Sequence, residues 1–142
     1  MFTVNMCRIN TVSIFGNPYK NNNNMKSEDL MLNDWVLTKE GEPAQVYQIY
    51  NGVVALTAPS PTLYNVECLQ PIKLTPELLE KNGFVEDDNR IFEYGEDIAV
   101  WNEDKEWIFD ADLEFNTRID LPYLHQLQHA FRLLNIEKEW KV

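Results

Sequence analysis

Gln45-Val46-Tyr47-Gln48-Ile49-Tyr50-Asn51-Gly52-Val53-Val54-Ala55-Leu56-Thr57 is the stretch on which the fold turns. Its first arm, Gln45–Tyr50, is rich in Val, Ile and Tyr, which suit a pleated and half-buried surface. Asn51-Gly52 then interrupts it with two residues that both tolerate positive φ, the strongest short hairpin signal. Val53–Thr57 is the returning arm. Outward from this hairpin, Trp35-Val36-Leu37-Thr38 reads as a preceding short strand, and Glu40-Gly41-Glu42-Pro43 as the turn between them. Downstream, Pro59-Ser60-Pro61 marks an irregular loop and Asn65–Leu69 a further strand. Short strands joined by tight turns predict a small SH3-like β-barrel over residues 25–74, a form that closes its own edges.

From Thr75 the pattern changes. Thr75 can cap free backbone N–H groups, Pro76 fits a first helical turn, and Glu77 complements the positive helix end. Gly83 can take the left-handed conformation that stops the helix, with Phe84 packing back on its last turn. Strands resume as Phe84–Glu86 and Arg90–Tyr94 around Asp87-Asp88-Asn89. Ile98–Trp101 and Glu106–Phe109 follow around Asn102-Glu103-Asp104-Lys105, giving an antiparallel meander. Pro122–Asn135 reads as a helix capped by Asp120. Its residues Leu124, Leu127, Phe131 and Leu134 form one apolar stripe. Residues 136–142 read as a short terminal strand. The fold class is therefore α+β: a small SH3-like barrel segment, a short helix, an antiparallel β-meander and a C-terminal amphipathic helix. These form one compact domain over 25–142, with halves 25–74 and 75–142.

Net charge is −11, from 12 basic and 23 acidic side chains. Such a chain is repelled by phosphate backbones and by anionic membrane surfaces, because affinity for both comes from Lys and Arg. A partner with a basic face is the complementary case. Cys7 and Cys68 have no metal spacing and make no disulfide framework, which fits a reduced, cytoplasmic setting with Cys68 as a packed thiol. No apolar run approaches the ~20 residues of a membrane helix. Residues 1–24 hold no Asp or Glu and end in Asn21-Asn22-Asn23-Asn24, a polar run that cannot bury enough surface to order itself. Met25-Lys26-Ser27-Glu28-Asp29 reads as a fresh start, so residues 1–24 are expected to be a loose tail or an in-frame extension.

Four motifs carry possible chemistry. His125-Gln126-Leu127-Gln128-His129 places two imidazoles one turn apart, as the zinc-protease pattern does. Gln126, however, stands where the general base would be, and no third ligand has a family spacing. The alternative is a polar helix flank beside the leucine stripe. Asp110-Ala111-Asp112-Leu113-Glu114 resembles the opening of a calcium loop, but Phe115 takes the place of the required glycine. Alternation of Phe109, Ala111, Leu113 and Phe115 with acids describes a half-buried strand instead. Glu103-Asp104-Lys105 has a nuclease-like order but sits at a hairpin tip. Finally, Trp35, Tyr47, Tyr50 and Tyr64 fall in the barrel-like part, where exposed aromatics can line a groove for a peptide or for stacked bases. Core filling is the competing role.

Pro71-Ile72-Lys73-Leu74-Thr75-Pro76-Glu77-Leu78-Leu79-Glu80-Lys81-Asn82-Gly83-Phe84 and Tyr123-Leu124-His125-Gln126-Leu127-Gln128-His129-Ala130 resemble a family of small uncharacterised proteins from gut anaerobic bacteria, their mobile elements and their phages. Leu30–Val36 is similar to the opening of such proteins. The resemblance spans residues 28–142 in pattern and implies a phage or mobile-element accessory protein. It brings no activity and no catalytic residues, and relatives often replace the residue at His129, which speaks against a metal site. The sequence thus leads to a non-enzymatic module without cofactor or metal that binds a protein partner through an acidic and aromatic surface. Two alternatives stand beside it: a nucleic-acid-associated regulator using the barrel, and a degenerate metal-binding enzyme at His125 and His129.

Overall fold

The computed structural model describes residues 25–57, 62–111 and 118–142. The expectations for residues 1–24, for Pro59-Ser60-Pro61 and for residues 112–115 lie outside them. The chain divides into two units, Met1–Ile72 and Lys73–Val142. Each holds one curled, antiparallel five-stranded sheet, and the described residues form an α+β structure of mostly strands with two α-helices.

In the first unit, β1 (Trp35–Leu37), β2 (Pro43–Tyr50), β3 (Val53–Leu56), β4 (Thr62–Asn65) and β5 (Gln70–Pro71) lie in the order β4-β3-β2-β1-β5. Pro43 opens β2, where its missing N–H is tolerated. Tyr50 pairs with Val53, which leaves Asn51 and Gly52 as a two-residue turn. Of these two only Gly52 takes a positive φ, 74°, so the hairpin rests on one left-handed residue and not on both. The turn is tied down from outside the hairpin. Gly52 N–H donates to Ser27 Oγ at 3.3 Å, and Val66 N–H donates to the Gly52 carbonyl at 3.1 Å. Val36, Ala44, Val46, Val54, Leu56 and Tyr64 fill the core with Met25, Leu30, Val66 and Leu69.

Two features of this unit depart from simple alternation. Pairing runs from Val46↔Leu56 to Gln48↔Ala55, so Tyr47 is the extra residue of a β-bulge. The strand expected over Asn65–Leu69 is corrected: β4 ends at Asn65 and Val66–Cys68 forms a 3-10 turn. Leu69 N–H donates to the Val66 carbonyl at 3.1 Å, and Val66 and Leu69 are both buried. A spacing of three puts both apolar side chains on the core side only if the backbone winds. Asp34 is fully buried, and its Oδ2 accepts the Met31 N–H at 2.8 Å, closing the turn before β1.

The second unit contains α1 (Pro76–Lys81), β6 (Val85–Glu86), β7 (Ile91–Tyr94), β8 (Ile98–Glu103), β9 (Glu106–Ala111), β10 (Ile119–Asp120) and α2 (Leu124–Leu133). Its sheet order, β10-β9-β8-β7-β6, is the expected meander. Thr75 Oγ1 accepts the Leu78 N–H at 3.1 Å, as a cap should. At the other end of α1, Gly83 at φ 88° donates to Glu80, and Phe84 donates to Leu79. This double closure is the Schellman arrangement. The β8–β9 turn is tighter than expected, because Glu103 pairs with Glu106 and only Asp104 and Lys105 turn, both with positive φ. Asp120 is not the cap of α2. It belongs to β10, the N-cap is Tyr123, and Gln126 Oε1 accepts the Tyr123 N–H at 3.2 Å.

Leu124, Leu127 and Phe131 of the α2 stripe are fully buried, with Phe84, Phe92, Val100 and Phe109 also in the core. Phe131 meets Trp140 at 4.8 Å and Tyr94 at 5.1 Å between ring centroids. The terminal strand expected over 136–142 does not form. The buried amide of Asn82 binds this segment instead: Nδ2 donates to the carbonyls of Leu78 and Lys141, each at 2.8 Å, and Oδ1 accepts the Lys141 N–H at 2.7 Å. One side chain thus supplies both hydrogen bonds that a neighbouring strand residue would have made.

Candidate functional site

β-pairing decides which face each aromatic residue of the first unit occupies, since paired residues share a face. The core face carries Val46, Ile49, Val54, Leu56 and Tyr64. The opposite face carries Trp35 beside Gln45, then Gln48, Ala55 and Leu63 in one row, and Tyr50, Val53 and Asn65 in the next. The bulge turns Tyr47 outward beside Gln48. Tyr47 and Tyr50 are each 52% exposed and Leu63 is 43% exposed, while Trp35 is half-buried. Tyr50 Oη donates to Gln48 Oε1 at 2.7 Å, which fixes the ring over the row.

The four aromatics singled out by sequence therefore separate. Trp35, Tyr47 and Tyr50 share the outward face. Tyr64 does not join them: it is 2% exposed on the core side, because its partner Val54 is a core residue. Amides and apolar groups dominate this face among the described residues.

The outward face of the second sheet was not found by sequence reasoning. Phe92, Tyr94, Ile98, Val100, Trp107, Phe109 and Ala111 occupy the inner face. The outer face then shows three rows. Val85, Glu93, Ala99 and Asp110 form one, Ile91, Trp101, Ile108 and Asp120 the next, and Glu103 with Glu106 the last. Arg118 reaches this face, making an ion pair with Glu103 and lying 5.6 Å over the Trp101 ring. The signal in sequence was the period-two alternation of acids with Trp101 and Ile108.

The remaining motifs resolve as follows. His125 is buried rather than lying on a polar flank, and it stacks on Tyr123 at 5.9 Å with 11° between ring planes. Its ring meets His129 edge-on at 5.7 Å. Among the described residues no group of three or more His, Cys, Asp or Glu could hold a metal ion. Glu103-Asp104-Lys105 is the tip of the β8–β9 hairpin. The strand reading of 109–115 holds through Ala111, the last described residue of β9. Cys68 lies in the 3-10 turn and is disulfide-bonded, so it is not the packed thiol expected. Among the described residues no helix is long and apolar enough to cross a membrane. Lys138 lies 4.9 Å over Tyr94 and 5.2 Å over Trp140, and burial, followed by the charge of Lys141, lowers its pKa below 10.5.

No family model, curated protein or solved structure matches the chain.

Proposed function

We propose that the chain is a non-enzymatic accessory module whose first unit is a small SH3-like barrel that binds another protein through its outward aromatic face. The carrying observation is the joint exposure of Tyr47 and Tyr50, 52% each, beside Leu63 and Trp35 on one face. Tyrosines at a surface supply large, stiff contact area with a polar tip, which is why protein interfaces are rich in them. Strand order supports the barrel reading: β1 pairs with the last strand as well as with β2, and a 3-10 turn immediately precedes that last strand. Phosphate-backbone binding has less support, because no Lys or Arg lies in β1 to β5 and the chain is strongly acidic. A phage or mobile-element setting is what the two sequence motifs add.

The test compares the wild-type chain with Tyr47→Ser/Tyr50→Ser in affinity capture from host lysate, with captured proteins quantified by mass spectrometry. A defined protein retained by the wild type and lost from the double variant, at unchanged circular dichroism, is the expected result. Equal retention by both, or turnover by the wild type in a hydrolase panel, would overturn the reading. A gel shift at low salt that vanishes at high salt would favour nucleic acid instead.

A further inference from the structure

We propose that the outward face of the second sheet is a docking site for an extended, arginine-bearing segment of a partner protein, of the form Arg-x-apolar-x-Arg. The proposal is independent of the aromatic face of the first unit. It rests on the order of charge and apolar surface along the strands. Asp110 and Glu106 stand at the two ends of the outward side of β9 with Ile108 between them. Glu93 stands two positions from Ile91 on β7, and Glu103 two positions from Trp101 on β8. The face therefore reads acid, apolar, acid along the strand direction. Its centre is a bar of Ile91, Trp101 and Ile108 running across three strands.

The two acidic ends are four residues apart on β9, which is about 13 Å in a strand. An extended ligand matches that distance with arginines at i and i+4 and an apolar residue at i+2, all on one of its faces. Ile108 is only 7% exposed, so the apolar residue of the ligand meets Ile91 and Trp101, which are half-buried and still accessible, and Val85 at the edge is 68% exposed.

Arg118 shows what one end of the face holds. Its guanidinium pairs with Glu103 and lies over the Trp101 indole, whose Nε1–H donates to the same Glu103 Oε2 at 3.3 Å. Carboxylate and indole together make a seat that suits a planar cation better than an ammonium. Both partners of the ion pair are about half exposed, 51% and 50%, so water already screens it and a ligand arginine can exchange with it. At the other end, the described residues place no basic side chain in ion-pair contact with Glu93 or Asp110. The face thus carries five outward carboxylates, Glu93, Glu103, Glu106, Asp110 and Asp120, against Arg118.

Fluorescence anisotropy of the full chain with labelled Arg-Ser-Val-Ser-Arg tests the proposal. Saturable binding is expected, and Lys-Ser-Val-Ser-Lys should bind more weakly. Glu93→Gln/Asp110→Asn should weaken binding about fivefold or more. Glu40→Gln/Glu42→Gln removes the same charge from the first unit and should change it less than about twofold. Arg118→Ala should tighten binding severalfold, because it vacates the Glu103 and Trp101 seat. Equal losses from the two charge-matched doubles would show a diffuse field and overturn the proposal. Weaker binding by Arg118→Ala, a lysine peptide bound as tightly as the arginine one, or no saturation would overturn it as well.

Discussion

Asn82→Ala is the most informative single perturbation of this structure. Asn82 is 3% exposed, and its amide makes three hydrogen bonds of 2.7 to 2.8 Å, two of them to the backbone of Lys141. Alanine removes all three and leaves the Lys141 N–H and carbonyl without the partner that replaces a strand. Each hydrogen bond contributes about 1 kcal/mol net, so the loss should be about 3 kcal/mol. Release of the segment would add to this by exposing Trp140, which is 8% exposed and packs on Phe131. Urea unfolding followed by tryptophan fluorescence reads the effect. With a slope of about 2 kcal/mol per molar urea, the midpoint of the second unit should fall by about 1.5 M. Hydrogen exchange at the Lys141 amide should accelerate in parallel. Asn82→Asp keeps an acceptor for Lys141 N–H but faces two carbonyls with a carboxylate, so it should not rescue stability. A midpoint lowered by less than about 0.3 M, with the Lys141 amide still protected, would refute the account of Asn82 as the clamp of the C-terminal segment.

Tyr64→Ala should cost about 3–5 kcal/mol in chemical denaturation, whereas Tyr47→Ala should stay within about 0.5 kcal/mol, because one ring fills the core and the other stands in water. Thr75→Ala should cost about 1 kcal/mol by thermal melting, and Thr75→Ser should restore most of it through the same Oγ acceptor. Lys138 should titrate below 10.5 by NMR, with Lys141→Gln moving it upward. Between that lowered value and 10.5 the folded chain binds fewer protons than the unfolded one. Stability should therefore rise as pH climbs through that window. The faces of Tyr94 and Trp140 act in the opposite sense by favouring the ammonium.

Local chemistry made much of this fold legible. Asn51-Gly52, Thr75-Pro76 and Gly83-Phe84 each set their turn or cap by short-range sterics and hydrogen bonding, and each formed where the residues said. What failed depended on partners distant in sequence. Asp120 has the chemistry of a cap, but pairing with Ile108 takes it into β10. Residues 136–142 have strand-like alternation, yet the partner they find is the side chain of Asn82. Tyr64 looks like Tyr47 and Tyr50 in sequence. Only the register of β3 against β4, which pairs it with Val54, assigns it to the core. The acidic face of the second sheet needed the same information, since no local pattern says that Ile91, Trp101 and Ile108 stand abreast.

The extra residue at Tyr47 also bears on how this sheet tolerates change in length. Ahead of it, inward positions of β2 are even-numbered, at Ala44 and Val46; behind it, the inward position is Ile49. Deleting Tyr47 would join Val46 to Gln48 in plain alternation, with Val46, Leu56, Ile49 and Val54 still paired and still inward, whereas deleting Gln45, ahead of the bulge, would turn the proline end inside out. Sliding β2 by one place along β3 fails for the same reason. The insertion thus marks the one place in β2 where the strand can lose a residue without changing faces, and deletion of Tyr47 should be tolerated far better than deletion of Gln45.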